Sequence, residues 1–398
     1  MGDLNNLGSD TGNLFRAPTA ICYGAGAARQ TGSLLLEGGV RRVLVVTDPG
    51  VRRAGIVAQV TRFLHEAGIA WEAYEGVQPD PVVDNVINGL TRFRSGGFDG
   101  LLAVGGGSSI DCAKAISVAF ANGANLKAYM GMERVARAGP PVFAVPTTAG
   151  TGSEVTRVFV ITDPKASEKM MIASRFAVCR GAIIDPELTL NLPPAITAAT
   201  GIDALAHALE AYVSLKAQPL TDILALSAVQ RIGRNLRRAY TAGSDLDARS
   251  EVMLGATEAG LAFSNASVGL IHGMARPLGA FLHLPHGVCI ALLTPLITRH
   301  SWKASVKRYA KITKAIGERR AGESDASAAG RLADILQRLV DDVGIRPIRE
   351  QVDLGERDWM AHVDIMAKQA LESGSPQLHP WRTDHRAIRD LYLEFFSR

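Results

Sequence analysis

Asp203 and His207 stand four residues apart in GIDALAHALE (201–210). On a helix that spacing puts a carboxylate oxygen and an imidazole nitrogen on one face, within reach of a single cation. Their neighbours Ile202, Leu205, Ala206 and Leu209 are apolar, so both side chains are expected in a dry interior, where a carboxylate needs a partner. An Asp–His hydrogen bond inside the core would meet that need equally well. Further along, GLIHGMARPLGAFLHLPHG (269–287) carries His272, His283 and His286 among apolar residues, glycines and prolines. Of the nine histidines, these three and His207 have apolar surroundings; the other five, His65 and His362 among them, are expected at the surface. Asp203 with three histidines makes a mixed nitrogen and oxygen donor set suited to Fe(II), Zn(II) or a similar divalent ion. The set lacks a thiolate, which disfavours a structural zinc site, and a five-coordinate ion would leave room for a substrate oxygen.

A second group of residues suits a phosphate-bearing ligand. LLAVGGGSSIDCAKAISVAF reads as a strand, a glycine turn and a helix. Gly105, Gly106 and Gly107 let backbone approach a ligand, and Ser108 and Ser109 open the helix, so free N–H groups and the positive dipole end face the turn. The run is not the G-x-G-x-x-G fingerprint, and a tight turn that needs glycine only for packing has the same appearance. VLVVTD ends in Asp48, placed where dinucleotide folds hold the adenosine ribose diol and where a 2′-phosphate would be repelled. That favours NAD over NADP, with Arg52 and Arg53 close by as contrary signs; an aspartate capping the next helix is the alternative. PTTAGTGSEVT (146–156), fed by the strand-like VFAV, is a third stretch able to wrap a polar ligand, or simply a flexible loop.

The elements that must position these residues divide the chain in two. Strand-like runs at 43–48, 101–107 and 142–148 alternate with helical periods at 54–67 and 84–95, which implies βαβ units and a sheet covered on both faces. After Pro193–Pro194 the periods are helical: 197–213, 221–239, 247–263, 303–317, 326–343, 356–371 and 384–396. Thr221, and Ser244 with Asp247 three residues later, are the expected helix starts. An α/β domain over residues 1–192 is therefore expected before an all-helical domain over 193–398, with no internal repeat.

Composition narrows the class. The 398 residues are 47% apolar, with 43 Lys+Arg against 39 Asp+Glu spread evenly, and no basic block of the kind a nucleic-acid arm needs. Forty Gly and 18 Pro are near-average usage. Cys22, Cys112, Cys179 and Cys289 are too few and too scattered for a disulfide scaffold. The start MGDLNNLGSD lacks the charged and apolar regions of a signal peptide, and Asn6 breaks the Gly2 myristoylation pattern. The longest apolar stretches, such as VCIALLTPLI (288–297), fall short of the ~20 residues that cross a bilayer. A cytoplasmic protein with neither nucleic-acid nor membrane partners is expected.

GGGSSID, PTTAGTGSEVT, DPELTLNLPPAITAATGIDALAHALE (185–210) and HGMARPLGAFLHLPHG together resemble the iron-containing, group III alcohol dehydrogenases, over about residues 15–395. The resemblance implies a Rossmann-like amino-terminal domain, a helical metal-binding carboxy-terminal domain of the dehydroquinate synthase-like plan, an active site in the cleft between them, and a homodimer. It carries metal ligation onto Asp203, His207, His272 and His286, and cofactor contacts onto Asp48, Gly107, Ser108, Thr147, Thr148, Thr156, Lys169 and Leu188. Two positions depart from the family pattern. The usual asparagine of a P-N-P turn is Asp80 here, and the second histidine of H-G-M-A-H, credited with proton relay, is Arg276. A guanidinium cannot accept a proton near neutral pH, so that role is not transferred.

The expected activity is metal-dependent, NAD(P)-linked interconversion of a primary alcohol and an aldehyde by hydride transfer. Arg276 points to an anionic substrate tail (a hydroxy acid, a semialdehyde or a phosphonate aldehyde), or else to cofactor phosphates or a nearby acid. Water, a ribose hydroxyl or His283 would carry the proton. Maleylacetate reductase-like enoate reduction, a metal- and NAD-dependent lyase of the dehydroquinate-synthase kind and a catalytically silent NAD-binding regulator are the alternatives.

Overall fold

Val43–Val46 and Leu101–Val104 are apolar on both sides of the chain, a pattern that suits strands covered on two faces. The computed structural model describes residues 12–166, 168–353 and 355–397; the polar MGDLNNLGSD segment with Asn6 lies outside them. The amino-terminal half runs β1 (Ala20–Tyr23), α1 (Thr31–Glu37), β2 (Arg42–Val46), α2 (Pro49–Arg53), α3 (Ile56–Glu66), β3 (Ala70–Tyr74), α4 (Val83–Gly96), β4 (Gly100–Gly105), α5 (Gly107–Asn122), β5 (Gly131–Met132), β6 (Val142–Pro146), β7 (Val158–Asp163), β8 (Glu168–Ala173) and β9 (Gly181–Ile184).

Six strands form one parallel sheet in the order β1-β9-β6-β4-β2-β3. Side chains alternate between its faces, as the two-residue period of a strand requires. Leu44, Val46, Leu101 and Ala103 join a cluster with residues of α4 and α5. Val43, Val45, Leu102 and Val104 join the opposite cluster, with residues of α1 and α3. The chain steps from β2 outward to β3, then returns to place β4 on the other side of β2. Such a reversal opens a crevice at the carboxyl ends of β2 and β4. A smaller sheet, β5-β8-β7 with β7 and β8 antiparallel, packs against the α5 side.

From Pro194 on the chain is helical: α6 (Pro194–Val213), α7 (Pro219–Thr241), α8 (Leu246–Ala266), α9 (Leu270–Leu282), α10 (His286–Ser301), α11 (Val306–Ile316), α12 (Asp325–Asp342), α13 (Ile348–Gln351), α14 (Glu356–Glu372) and α15 (His385–Ser397). Helix α6 is buried along nearly its whole length, which matches its nearly continuous apolar sequence. Sequence periodicity identified seven of these ten helices but not the four-residue α13, nor α9 and α10, which contain Pro277 and Pro295. A proline inside a helix costs about 3 kcal/mol. Burial offsets it, because Leu270, Ile271, Met274 and Leu278 are wholly enclosed and each such side chain contributes about 1.5–3 kcal/mol.

Two expected starts shift. Helix α7 begins at Pro219, and Thr221 is its third residue, its hydroxyl accepting the Gln218 N–H at 2.9 Å. Helix α8 is capped by Asp245 rather than Ser244, because the Asp245 carboxylate reaches the Ala248 N–H at 3.0 Å.

The two halves share apolar packing. Ala149, Val155, Ala182 and Ile184 belong to the same buried cluster as α6, α8 and α10. Backbone meets backbone where Gly152 faces Gly260 of α8; a Cβ on Gly152 would stand 2.6 Å from the Gly260 Cα. No described helix is long and apolar enough to cross a membrane.

Candidate metal centre and cofactor cleft

Helix α6 presents Asp203, His207 and Glu210 on one face, as their spacings of four and three residues require. Helix α9 brings in His272, and His286 is the first residue of α10. Around Asp203 Oδ1 lie His272 Nε2 at 3.3 Å and the Nε2 atoms of His207 and His286, both at 3.9 Å. Ligand atoms of Asp203, His207 and His272 fall within 4.8 Å of one another. Asp203 Oδ1 and His272 Nε2 are buried and have no hydrogen-bond partner among the described residues. Buried polar atoms without partners are costly, and convergent lone pairs of this kind fit a divalent cation. Imidazole and carboxylate donors suit iron or zinc equally. The centre opens on one side only: the His286 side chain is 35% exposed, against 8% or less for Asp203, His207 and His272.

The electrostatics keep these donors ready. Burial alone would push the Asp203 carboxyl up, but the imidazoles of His207, His286 and His272 hold it well below the usual carboxylate range. Burial pulls His207 down to about 3 and His286 down to about 4, so both rings are neutral at physiological pH. His272 moves the other way. Burial opposes its charge, yet the carboxylates of Asp203 and Glu210 together raise its pKa.

Glu210 was not singled out from sequence, although its buried place seven residues after Asp203 was a readable sign. Its Oε2 lies 2.6 Å from His272 Nδ1, and its Oε1 accepts the Ile271 N–H at 2.6 Å. One carboxylate thus caps α9 and fixes the ring of a candidate ligand, with Nδ1 protonated and Nε2 turned towards Asp203. His207 is held by stacking between Phe263 and His272, with ring centroids 4.2 and 4.3 Å away.

Two histidines depart from expectation. His283, grouped with the others by its apolar sequence neighbours, is exposed and ends α9 in the left-handed conformation (φ 53°). It makes no hydrogen bond, ion pair or ring contact with the cluster. His379, one of the five assigned to the surface, is 1% exposed, its pKa lowered by burial, and lies close enough to Glu210 to feel its charge. Its immediate neighbours Leu378 and Pro380 are apolar, a sign of burial that the grouping with the surface histidines overlooked.

On the sheet side, the reversal between β2 and β4 brings Asp48 beside the glycine turn. A Cβ on Gly105 would lie 3.5 Å from Asp48 Oδ2 and 2.4 Å from Ser109 Oγ. Asp48 also caps α2, with Oδ1 accepting the N–H groups of Gly50 and Val51 at 2.8 and 3.0 Å. A cap uses one oxygen, so both sequence readings of this residue are compatible. Gly106 and Ser108 are partly exposed at the start of α5, whereas Ser109 is buried. The loop from Pro146 closes over the turn: a Cβ on Gly106 would meet Thr148 at 3.2 Å, and one on Gly107 would meet Thr151 at 2.7 Å. Thr147 is buried and donates its N–H to Gly105 O at 3.0 Å. Leu188 lies within the apolar layer on the α1 and α3 face.

Thr156 is buried next to Lys114, which sequence reading passed over despite its place in an apolar helix. Lys114 Nζ donates to Thr156 O at 2.8 Å, Val158 O at 3.0 Å and Ser153 Oγ at 3.1 Å, and so anchors the end of the loop. Lys169 reaches Asp80 at 3.1 Å, and Asp80 sits at φ 52°, a conformation that asparagine and aspartate tolerate best. The charges of Lys169 from β8 and Arg276 from α9 both bear on His286. The candidate metal centre therefore adjoins both halves of the molecule.

With this geometry in place, comparison with known proteins is informative. The model of the iron-containing alcohol dehydrogenase family matches residues 18–186, and that of the Fe-containing alcohol dehydrogenase family, C-terminal, matches residues 197–396. The chain is 38% identical over 384 residues to a 1,3-propanediol dehydrogenase of Klebsiella pneumoniae, covering 96% of this chain and 98% of that one. A crystal structure of 1,3-propanediol oxidoreductase superposes with a TM-score of 0.93 at 37% identity, over 97% of this chain and 100% of that one. Sulfoacetaldehyde reductase from Bifidobacterium kashiwanohense, solved in complex with NAD+, gives 0.85 at 26% identity, over 97% and 99%.

Proposed function

The chain belongs to the iron-containing alcohol dehydrogenase family, and we propose that it interconverts a primary alcohol and an aldehyde using NAD(H) and a divalent metal held by Asp203, His207, His272 and His286. The observation that carries this reading is the convergence of three imidazoles on the buried Asp203 Oδ1. When bound, the metal supplies a Lewis-acid charge for an alcohol or carbonyl oxygen, and the nicotinamide accepts or donates the hydride.

The chain's own residues prepare that chemistry. Asp203 contributes fixed negative charge, and His207 and His286 remain neutral and therefore able to ligate. The backbone of Gly105–Gly107 with Ser108 forms the phosphate seat, and Asp48 Oδ2 beside it suits a ribose diol, which favours NAD. The NAD+ bound by the similar sulfoacetaldehyde reductase supports the same choice. Thr148 and Lys169 border the cleft, while Thr147, Thr156 and Leu188 support it from buried positions. Iron is the proposed metal on family grounds, with zinc as alternative; a cytoplasmic homodimer divided near residues 192 and 193 completes the reading. His283, lying outside the cluster, gives no support to a proton path, and solvent at the open His286 side is assigned that exchange.

The test is metal analysis of anaerobically purified protein, followed by NADH oxidation with neutral and acidic aldehydes. Metal-dependent NADH consumption that a chelator abolishes is expected. Metal-loaded protein that consumes no NADH with any of these aldehydes would refute the reading.

A further inference from the structure

Arg276 follows His272 by one turn of α9, on the face that carries the candidate ligand. Gly273 lets the turn at Pro376 approach, since a Cβ there would stand 2.9 Å from the proline ring. That approach sets the buried Ser375 hydroxyl 3.0 Å from Arg276 Nη1. This is the only hydrogen bond the guanidinium makes among the described residues, and no carboxylate lies within 4.0 Å of it. The acid whose charge reaches it is Glu210, whose oxygens are already engaged by His272 and the Ile271 N–H. Lys169, the other cation acting on His286, is neutralised by Asp80. Arg276 therefore carries an uncompensated charge and free donors at a half-buried position. Asp203 and Glu210 together balance a divalent cation and leave the guanidinium over.

We infer that Arg276 recognises the anionic end of the substrate, making this enzyme selective for short aldehydes and alcohols that carry a carboxylate, sulfonate or phosphonate. The inference rests on the oxidoreductase reading and adds the substrate class to it. The guanidinium fork matches two oxygens of such a group. Residues one helical turn apart share a face, so the guanidinium and the candidate ligand His272 extend from the same side of α9. Cofactor phosphates are the competing anion, but Arg276 lies with His286 and Glu210 at the metal end, whereas the glycine turn is the phosphate seat.

Metal-loaded wild type, Arg276→Ala and Arg276→Gln should be compared with NADH on succinic semialdehyde and on butanal, with NADH affinity measured by fluorescence. Succinic semialdehyde should be the better wild-type substrate. Either substitution should lower its kcat/KM relative to that of butanal by about thirtyfold or more, as expected when a desolvated charge pair loses one member. Arg276→Gln keeps a donor for Ser375, which separates lost recognition from lost packing. Equal losses on both aldehydes, or a matching loss of NADH affinity, would overturn the inference. If no aldehyde is reduced, the oxidoreductase reading fails by itself. Calorimetry with succinate then decides the anion site: binding no tighter to wild type than to Arg276→Ala overturns it.

Discussion

Glu210 Oε2 lies 2.6 Å from His272 Nδ1, joining the buried ends of two helices across 62 residues of sequence. The bond commits the other ring nitrogen, Nε2, to the side where Asp203 lies. Glu210→Gln keeps the shape and removes the charge, and should weaken metal affinity by about 10–100-fold, the usual effect of losing such a support. Zinc titration against a competing chelator measures it. Glu210→Leu should in addition destabilise the fold by about 1–3 kcal/mol, because the Ile271 N–H loses its acceptor.

Metal affinity should depend on pH mainly through one ring. His272 has its pKa raised by Asp203 and Glu210, so protons compete with the metal there as pH falls towards and below that value. His207 at about 3 and His286 at about 4 do not compete above pH 5. The zinc dissociation constant should then rise about tenfold per pH unit on the acid side, the slope of a single proton. A hundredfold slope would mean that two imidazoles titrate. In the metal-free protein, the depressed values of His207 and His286 leave stability intact above the unfolded histidine pKa of about 6.5 and remove it as pH falls towards 4. His272 contributes with the opposite sign: its stabilisation is present below about 6.5 and lost as pH rises through its raised value.

Lys114 holds the loop of the cofactor cleft from beneath. Lys114→Met should cost about 3 kcal/mol, since Asp111 and Glu154 would lose a neighbouring cation. Urea unfolding reads the stability. With Ser153 and Thr156 released, NADH should also bind more weakly, while zinc affinity stays closer to wild type because Lys114 touches none of the metal residues.

Gly152 pairs a left-handed backbone (φ 61°) with close contact to Gly260. Gly152→Ala should destabilise by about 3 kcal/mol, through backbone strain plus overpacking. Gly39 (φ 83°) has open space around it, so Gly39→Ala should show only the backbone part, about 1–2 kcal/mol. Equal losses at the two sites would mean that the contact between the halves is softer than its geometry implies.

Local pattern sufficed for β2, β4 and β6 of the sheet, though not for β1, β3 or β9, and for the first two candidate ligands. The unbroken apolar runs VLVV and LLAV mark strands covered on both faces, and the four-residue step from Asp203 to His207 is itself a statement about one helical face. The glycine turn and Asp48 were readable for the same reason, because each chemical role sits at the end of a single strand. What local pattern lacked is distance between segments. His283 and His286 look alike in LHLPH, and only the left-handed end of α9 separates the exposed ring from the one facing Asp203. His379 is buried by helices remote from it in sequence, and Glu210 acquires its partner across two helices. That Arg276 has no carboxylate partner among the described residues is likewise a property of the assembled charges. Burial and pairing are sums over all neighbours in space, so they exist only once the chain has folded.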